Sequence, residues 1–293
     1  MIWNGGFMRI SEILKQDKVT LSLEVFPPKT SEKYETTAAT AKKIAALQPD
    51  FMSVTYGAGG GTGAFTANIA AEIQKEYDVP VLAHLTCVSS SRPFVADMVE
   101  RYKSLGIENI LALRGDIPQD GKVSEDYKHA VELIHDLKEQ GDFCIGGACY
   151  PEGHIECEHK ADDIRYLKEK VDAGLDFLTT QMFFDNNILY NFLYRIREQG
   201  IMVPVIAGIM PITNAKQLAR SVAMSGTDVP QRFRNIVDHY GENPAAMRQA
   251  GIVYATEQIV DLVANGIRHI HVYTMNKPTV STEIMNLLSE VLC

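Results

Sequence analysis

The sequence repeats one pattern eight times: a short β-rich run, a polar or glycine-containing loop, and an amphipathic stretch with helical periodicity. Strands that alternate with helices predict right-handed βαβ crossovers and a parallel sheet. Eight such units in 293 residues fit a closed barrel better than an open sheet. We therefore predict an α/β fold, a (β/α)8 TIM barrel forming one catalytic domain over residues 1–293. The predicted strands are residues 22–28, 50–56, 80–87, 109–116, 144–152, 177–185, 203–211 and 269–274.

Two regions depart from this pattern. Residues 212–265, after the seventh strand, are long enough for two or three helices where one would suffice, so we predict extra helices there. Residues 1–7 precede a second methionine, Met8, and are expected to form a loose N-terminal extension.

Composition argues against several functional classes. The net charge of −9 disfavours a nucleic-acid or anionic-membrane surface, and no run of 18 apolar residues predicts a transmembrane helix. The N-terminus lacks the features of a secretory signal. The five cysteines form no CxxC pair, which favours reduced thiols and gives no zinc site. We expect a cytoplasmic protein with small-molecule substrates and no bound metal.

The first strand carries a carboxylate on the face opposite an aliphatic stripe. Leu21, Leu23 and Val25 share one face, Glu24 lies on the other, and the proline pair at 27–28 ends the strand. In a barrel the aliphatic face meets the helices, and Glu24 enters the lumen near the mouth that holds active sites. Enclosure there disfavours an ionised carboxyl group, which suits a proton donor. The alternative is a glutamate fixed by a buried ion pair or hydrogen bonds at the barrel bottom.

The same alternation places polar side chains at the ends of other strands. On the fourth strand, it predicts Arg114 and Asp116 in the lumen and Leu111 and Leu113 against the helices. A purely structural lumen would favour branched aliphatic residues, so we interpret this end as a functional mouth. The other alternating polar residues are Ser53, Thr55, His84, Thr86, His271 and Tyr273.

Two further strand ends carry candidate binding groups. Gly115 permits close backbone approach by a planar ligand, although Arg114 and Asp116 could simply form a mutual ion pair. Gln181 offers the donors and acceptors that the edge of a heterocycle needs. Asp185 or Asn186 is expected to cap the next helix, and Phe183 and Phe184 could be core or a stacking surface.

Two motifs give weaker signals. The glycine-rich stretch at 56–63 lacks the lysine of a phosphate loop and the spacing of a dinucleotide fingerprint, so it is either a flexible loop or an anion site. The stretch around His154 and His159 does not have the HExxH spacing of a zinc protease, and we expect no metal there.

Taken together, the strand-end motifs resemble those of the bacterial-type methylenetetrahydrofolate reductase family. They follow the family order from about Ile10 to the C-terminal helix, and their joint spacing is highly specific. The matching stretches are SLEVFPPK, DFMSVTYGAGG, AHLTCV, LALRGDIP, YPEGH, KVDAGLDFLTTQMFFD, IAGIMPITN and HVYTMN.

This resemblance implies a barrel that binds FAD without a Rossmann fingerprint. It implies reduction of methylenetetrahydrofolate to methyltetrahydrofolate with NADH or NADPH by a ping-pong mechanism, which supplies methyl groups for methionine synthesis. Bacterial relatives form homo-oligomers, so the resemblance also implies one here. No residue distinguishes NADH from NADPH. The chain has no counterpart of the regulatory domain of long eukaryotic members, so control by such a domain is not expected.

The resemblance also assigns residue roles. Glu24 aligns with the general acid, Asp116 with the catalytic aspartate beside flavin and folate, and Gln181 with a folate contact. Arg114 and Lys170 are candidate partners for the FAD phosphates. Some relatives carry a stacking aromatic near Ser221, and the chain also differs from relatives around Arg165 and Tyr166. The full set expected to bind FAD is Thr55, His84, Arg114, Gly115, Asp116, Tyr127, Ala148, Tyr150, Asp163, Lys170 and Tyr273.

Two other functions share parts of this pattern. A pterin-binding methyltransferase barrel would need the mouth carboxylates but no flavin. A flavin-carrying subunit would bind flavin without being reduced by NAD(P)H. The set of Glu24, Asp116 and Gln181 argues against a mere carrier, which needs no proton donor directed at folate.

Overall fold

The computed structural model describes residues 7–57, 63–117, 121, 123–157 and 159–292, and the side chains of residues 160 and 161 are not considered. Eight parallel strands close into a barrel in sequence order, with the first strand paired to the last. The predicted TIM barrel is therefore confirmed. The strands are β1 Thr20–Val25, β2 Phe51–Val54, β3 Val81–Thr86, β4 Asn109–Leu113, β5 Cys144–Cys149, β6 Phe177–Thr180, β7 Val205–Ile209 and β8 His269–Tyr273.

Helices follow the strands and form the outer layer. Side-chain caps begin several of them, because a polar oxygen satisfies amide groups that the first turn leaves unpaired. Asp185 caps one in this way, accepting a hydrogen bond from the backbone NH of Asn187. The helices are α1 Ile10–Ile13, α2 Tyr34–Ala45, α3 Gly63–Tyr77, α4 Arg92–Ser104, α5 Ala130–Gln140, α6 Lys160–Asp172, α7 Asn186–Glu198, α8 Ala215–Ser225, α9 Gln231–Tyr240, α10 Pro244–Ala264 and α11 Pro278–Leu287.

The three helices α8 to α10 confirm the prediction of extra helices after the seventh strand. A second hydrophobic cluster joins them to the mouth side of the barrel, with Phe233 stacked on Tyr254 at 4.2 Å between ring centroids. The Tyr254 hydroxyl donates to the carbonyl of Phe184 at 2.6 Å. Phe183 and Phe184 are both buried in hydrophobic clusters, so their core interpretation is confirmed.

The aliphatic stripe of β1 meets the helical layer as predicted. Leu21, Leu23 and Val25 belong to the same hydrophobic cluster as Ala38 and Ile44 of α2. Burying such side chains stabilises the barrel by about 1.5–3 kcal/mol each. Because side chains alternate along the strand, Glu24 is left in the lumen.

A short N-terminal helix fills the bottom of the lumen, a feature that the strand pattern did not predict. Ile10, Ile13 and Leu14 of this segment pack on a layer of inward-facing strand residues. The backbone NH of Ile10 donates to the side chain of Asn109 at 2.9 Å. The barrel is therefore closed at its base, and the polar end is the opposite one. The inward layer comprises Phe51, Leu82, Leu111, Cys144, Phe177 and Ile206.

The predicted orientation of β4 is wrong. Leu111 belongs to the lumen layer and Leu113 packs against it, whereas Ile110 and Ala112 belong to the outer cluster. Strand β4 ends at Leu113, so alternation does not extend to Arg114 and Asp116. These residues follow the strand, where Gly115 has a φ of +88°.

Some sequence features concern residues that the structure describes only in part. Residues 1–6 of the predicted extension and residues 58–62 of the glycine-rich stretch lie outside the described residues.

Within the described chain, no helix is long and apolar enough to cross a membrane. Cys87, Cys144, Cys149 and Cys157 are free thiols.

Candidate active site

Glu24 lies in the lumen at the mouth end of β1, beside two histidines. Its Oε2 is 3.4 Å from Nε2 of His271 and 3.8 Å from Nε2 of His84. The glutamate side chain is 18% exposed, whereas the histidine side chains are almost fully buried. The alternative of a glutamate that closes the barrel bottom is therefore wrong, because Glu24 lies near the C-terminal end of β1, at the opposite end from the N-terminal helix.

Each histidine is held by a serine on a neighbouring strand. Ser22 Oγ is 2.8 Å from Nδ1 of His271, and Ser53 Oγ is 2.5 Å from Nε2 of His84. Burial lowers the pKa of His84 to about 4, despite the opposing charge of Glu24. His84 is consequently neutral at physiological pH.

Tyr273 reaches from β8 past Gly208 of β7 to the end of β6. Its hydroxyl donates to the carbonyl of Thr180 at 2.6 Å, and its ring meets that of His271 edge-on at 5.0 Å. Burial, followed by the charge of Glu24, raises its pKa well above its ordinary value, so the phenol is neutral. Gly208 on β7 makes room for it, because a Cβ there would lie 2.7 Å from the Tyr273 hydroxyl.

A cavity of about 630 Å³ opens beside this cluster, at the ends of β2 to β5. Its size is typical of a small-molecule or cofactor site. Its lining mixes aromatic rings, cations, carboxylates and exposed backbone. Among the lining residues are Tyr56, Thr86, Arg114, Gly115, Asp116, Ala148, Tyr150, His154, Asp163, Tyr166 and Lys170.

Arg114 is held in the cavity wall by a carboxylate distant in sequence. Its two terminal nitrogens donate to the carboxylate oxygens of Glu156 at 2.6 and 2.9 Å. Hydrogen bonding to Glu156 is also the largest cause of its raised pKa. The expected alternative, an ion pair with Asp116, is thus replaced by a bidentate pair with Glu156. Asp116 remains at the cavity wall.

Gly115 brings the backbone close to its neighbours at this turn. It has a left-handed conformation, and a Cβ on it would lie 3.0 Å from Cβ of Thr86. A side chain would be strained and crowded there. Glycine is therefore the residue that fits this turn, and its approach by a planar ligand stays a prediction.

Lys170 of α6 brings a half-buried cation to the cavity. Its Nζ donates to the carbonyl of Ala148 at 2.8 Å. Burial lowers its pKa, while Cys149 and Asp163 act in the opposite direction. Burial likewise raises the pKa of Asp163, although Lys170 opposes this. This lysine and aspartate lie close together at one end of the lining.

Two tyrosines supply rings to the same cavity. Tyr150 packs edge-on against His154 at 4.6 Å, and burial raises the pKa of the Tyr150 phenol to about 12. The hydroxyl of Tyr56 is buried with no hydrogen-bond partner among the described residues. It lies against the start of α3, since a Cβ at Gly63 would be 2.6 Å from it.

Comparison with known proteins decides the family. A family model described as methylenetetrahydrofolate reductase matches residues 9–289. The chain belongs to this family. A 5,10-methylenetetrahydrofolate reductase from Pectobacterium carotovorum is 36% identical over 273 residues, which cover 93% of this chain and 91% of the relative.

Two further comparisons concern a longer plant relative and a solved structure. Methylenetetrahydrofolate reductase (NADH) 1 from Zea mays is 36% identical over 283 residues, but the match covers only 48% of that relative. The chain thus spans about half the length of this plant protein. An uncharacterized Clostridium thermocellum protein that binds two copies of 5-methyl-5,6,7,8-tetrahydrofolic acid has a TM-score of 0.64. It is 14% identical, over 97% of this chain and 99% of the other, and shows the fold alone.

The structure brings most of the residues expected for a methylenetetrahydrofolate reductase to one mouth, in two groups. Arg114, Gly115, Asp116, Ala148, Tyr150, Asp163 and Lys170 line the cavity, whereas Glu24, His84 and Tyr273 form the lumen cluster beside it. Their binding roles stay predictions.

Three expected residues lie outside both groups. Tyr127 is buried, and its hydroxyl donates to Asp136 at 2.6 Å, away from the cavity lining. Thr55 follows β2 and bonds through its backbone NH to Val25. The side chain of Gln181 follows β6 and accepts from the NH of Met182 at 3.0 Å.

Several groups were missed by reasoning from single strands. Glu156 and His129 line the cavity from loops, and Ser22 lies in the lumen cluster. The hydroxyl of Thr179, in register with Ala148, is buried without a partner in the described part of the chain. The alternation of side chains along β1 and β6 could have indicated two of these residues, Ser22 and Thr179. No local pattern indicated Glu156 or His129. Among the described residues, no group of histidines, cysteines and carboxylates could hold a metal ion.

Proposed function

We propose that this protein is an FAD-dependent methylenetetrahydrofolate reductase that takes electrons from NADH or NADPH by a ping-pong mechanism. Family membership supports a folate-dependent oxidoreductase. The observation that carries the finer proposal is the position of Glu24, an enclosed carboxyl group beside a cofactor-sized cavity. The product, methyltetrahydrofolate, would supply methyl groups for methionine synthesis.

The cavity fits FAD in size and in chemistry. Gly115 and Ala148 present backbone that a flat ring system can approach, and Tyr150 adds an aromatic ring to the same lining. Arg114 and Lys170 are the cations that would face the phosphates. The bound cofactor would supply the hydride that reduces the folate carbon.

Glu24 would supply the proton that opens the folate ring. The methylene bridge joins two nitrogens of the substrate, and its C–N bond breaks more easily when the departing nitrogen is protonated. The O–H bond of Glu24 breaks, an N–H bond forms, and the C–N electrons stay on the nitrogen. The carbon is left as an iminium cation. The protein's contribution is an enclosed carboxyl group with His271 and His84 beside it.

Asp116 would stabilise that cation. It lies in the cavity wall near Tyr150, whose raised pKa is due first to burial and then to the charge of Asp116. A fixed negative charge at this place favours positive charge developing on the substrate. Gln181 is proposed to hold the pterin edge through its amide.

The test separates the two half-reactions. We expect purified protein to be yellow and its flavin to be bleached by NADH or NADPH without oxygen. Glu24→Gln should keep this reduction and lose folate reduction by about 10²–10⁴-fold, the usual contribution of a positioned acid. Glu100→Gln is the control, because it removes a carboxylate from an exposed pair on α4.

Other results would favour the other functions. A colourless protein would favour the pterin-binding methyltransferase, and bound flavin that no nicotinamide reduces would favour the electron carrier. Equal loss of both half-reactions in Glu24→Gln would contradict the role given to this residue. Cytoplasmic location and homo-oligomerisation stay predictions for localisation and sedimentation experiments.

A further inference from the structure

Two loops are joined by side chains at the point where the pairing of β1 with β8 stops. The last pair in register is Glu24 with Tyr273. Beyond it, two side chains of the loop after β8 bind the main chain of Glu24 and Phe26, where further strand pairing would otherwise be needed. We call this loop segment, from Thr274 to Asn276, the clasp.

One amide of the clasp binds both backbone groups of Phe26. The NH of Phe26 donates to Oδ1 of Asn276 at 3.0 Å, and Nδ2 of Asn276 donates to the carbonyl of Phe26 at 2.9 Å. A neighbouring strand would supply the same acceptor and donor. The strand itself cannot continue in this way, because the next residue, Pro27, has no NH. Asn276 therefore takes the place of one strand residue.

The hydroxyl of Thr274 binds the residue that carries the carboxyl group. It donates to the carbonyl of Glu24 at 2.5 Å and accepts from the backbone NH of Asn276 at 3.1 Å. Thr274 is only 2% exposed, so water does not compete for these bonds. The clasp therefore holds the main chain at Glu24 and again two residues later.

The backbone of the clasp has a conformation that residues with side chains disfavour. Met275 and Asn276 both have a φ of +53°, in the left-handed region. Glycine is the usual residue there, and two successive residues with side chains persist only where the surrounding structure fixes them. A glycine at position 276 would relieve the strain but would lack the amide that binds Phe26. Strain of this kind is concentrated at functional sites.

The carboxyl group of Glu24 depends on its main chain for its position. The two histidine nitrogens beside it are 3.4 and 3.8 Å from its Oε2, which is longer than a normal hydrogen bond between nitrogen and oxygen. Glu24 is also the last residue but one of β1, near the end at which pairing with β8 stops. A displacement of about 1 Å at such a group can slow a reaction by about 10²-fold.

We propose that Thr274 and Asn276 are positioning residues, which hold Glu24 at the place where it transfers its proton by fixing the main chain at Glu24 and Phe26. The role given to the proton rests on the proposed function. The fixing of the strand end does not, and it can be measured separately.

The main test removes the amide without adding strain. Asn276→Gly keeps the left-handed conformation available and deletes both bonds to Phe26. We expect this variant to keep flavin reduction by NADH or NADPH and to slow folate reduction at saturating folate by about 10–100-fold. The KM for folate should change much less than kcat, because a displaced acid affects the proton transfer more than the binding.

Asn109→Ala is the matched control at the other end of the barrel. The amide of Asn109 also joins two backbone groups, accepting from the NH of Ile10 at 2.9 Å and donating to the carbonyl of Val81 at 3.3 Å. Its loss should lower stability and leave the rates of both half-reactions unchanged. If Asn109→Ala slows folate reduction as much as Asn276→Gly does, general loosening of the barrel accounts for both results and the proposal is overturned.

A second pair of variants decides the matter if Asn276→Gly does not fold. Thr274→Val has nearly the same shape and lacks the hydroxyl, whereas Thr274→Ser keeps it. Folate reduction should fall by about tenfold or more in the valine variant and recover in the serine variant. Equal rates of folate reduction in Thr274→Val and Thr274→Ser would overturn the proposal. So would equal loss of both half-reactions in Thr274→Val.

Hydrogen exchange measures how firmly the strand end is held, without any assay of activity. The backbone amides of Glu24 and Val25 should exchange at least about tenfold faster in Asn276→Gly and Thr274→Val than in the unmodified protein. Unchanged exchange at these amides in both variants would overturn the proposal, whatever the enzyme does. Absence of folate reduction in the unmodified protein would overturn the proposed function, and the exchange rates would still decide whether the clasp holds Glu24.

Discussion

Substitution of Gly208 tests whether Tyr273 is placed by the space that a glycine leaves. A Cβ at position 208 would lie 2.5 Å from the carbonyl oxygen of Thr180 and 2.7 Å from the hydroxyl of Tyr273. Both distances are too short for a real Cβ contact, and one of the two partners is backbone. Gly208→Ala must therefore displace either β6 or the tyrosine.

The cost follows from two effects. Overpacking of a buried site costs about 1–3 kcal/mol, and leaving the Thr180 carbonyl without its hydrogen bond costs about 1–3 kcal/mol more. The smaller conformational freedom of the unfolded alanine variant offsets about 0.4–1 kcal/mol. We expect Gly208→Ala to lower the free energy of unfolding by about 2–5 kcal/mol.

The assay is urea unfolding of two single variants and their double variant. Tyr273→Phe alone leaves the same Thr180 carbonyl without its hydrogen bond and should cost about 1–3 kcal/mol. The double variant with Gly208→Ala should cost less than the sum by about 1–3 kcal/mol, because the hydrogen bond to Thr180 is lost only once. The ring carbon Cε2, which would lie 2.8 Å from the new Cβ, remains in phenylalanine, so the overpacking persists.

Gly147→Ala is the matched control on β5. A Cβ there would meet chiefly Cδ1 of Leu175, the end of a flexible side chain, so its cost should be clearly smaller. Equal destabilisation by Gly147→Ala and Gly208→Ala would refute the reasoning. So would strict additivity of Gly208→Ala and Tyr273→Phe.

Three other predictions concern charge and cofactor. Asp116→Asn should raise the flavin reduction potential and slow hydride delivery to folate; an unchanged potential in spectroelectrochemistry would contradict the electrostatic role. Tyr127→Phe should cost about 1 kcal/mol in urea unfolding by removing the bond to Asp136, and a fluorescence titration should show unchanged FAD affinity. Below pH 6.5 the unfolded state protonates His84, whereas the native state resists until about pH 4. Stability should therefore fall by up to about 3 kcal/mol as pH drops through this window, and less in His84→Asn, as measured by urea unfolding at pH 7 and 4.5.

The barrel and the acid on β1 could be predicted because both depend on local periodicity. Eight β-rich runs alternating with helical patterns leave few topologies, and the closed parallel barrel is the one observed. On β1 the proline pair located the strand end, so alternation placed Glu24 in the lumen correctly. A strand with a clear terminus gives a reliable orientation for its last residues.

On β4 the end of the strand was predicted wrongly, and the side-chain orientations predicted from alternation were therefore wrong. The fourth strand was extended to Asp116, but it ends at Leu113, and the left-handed Gly115 turns the chain there. Arg114 and Asp116 still reach the mouth, because a turn places them at the cavity wall. Pairs such as Arg114 with Glu156 depend on how a loop folds back, which no local pattern encodes.

The contact between His271 and Glu24 is different, because the sequence contains it once closure is assumed. A closed eight-stranded barrel must pair its first strand with its last. The polar positions Thr20, Ser22 and Glu24 then lie opposite His269, His271 and Tyr273, since both strands alternate with a period of two. What the sequence leaves open is the register, and a slip of one residue would turn one strand's polar set toward the helices. Burial of Leu21, Leu23, Ile270 and Val272 on the outer face excludes that slip. The hydrophobic layer outside the barrel thus fixes which imidazole meets the acid within it.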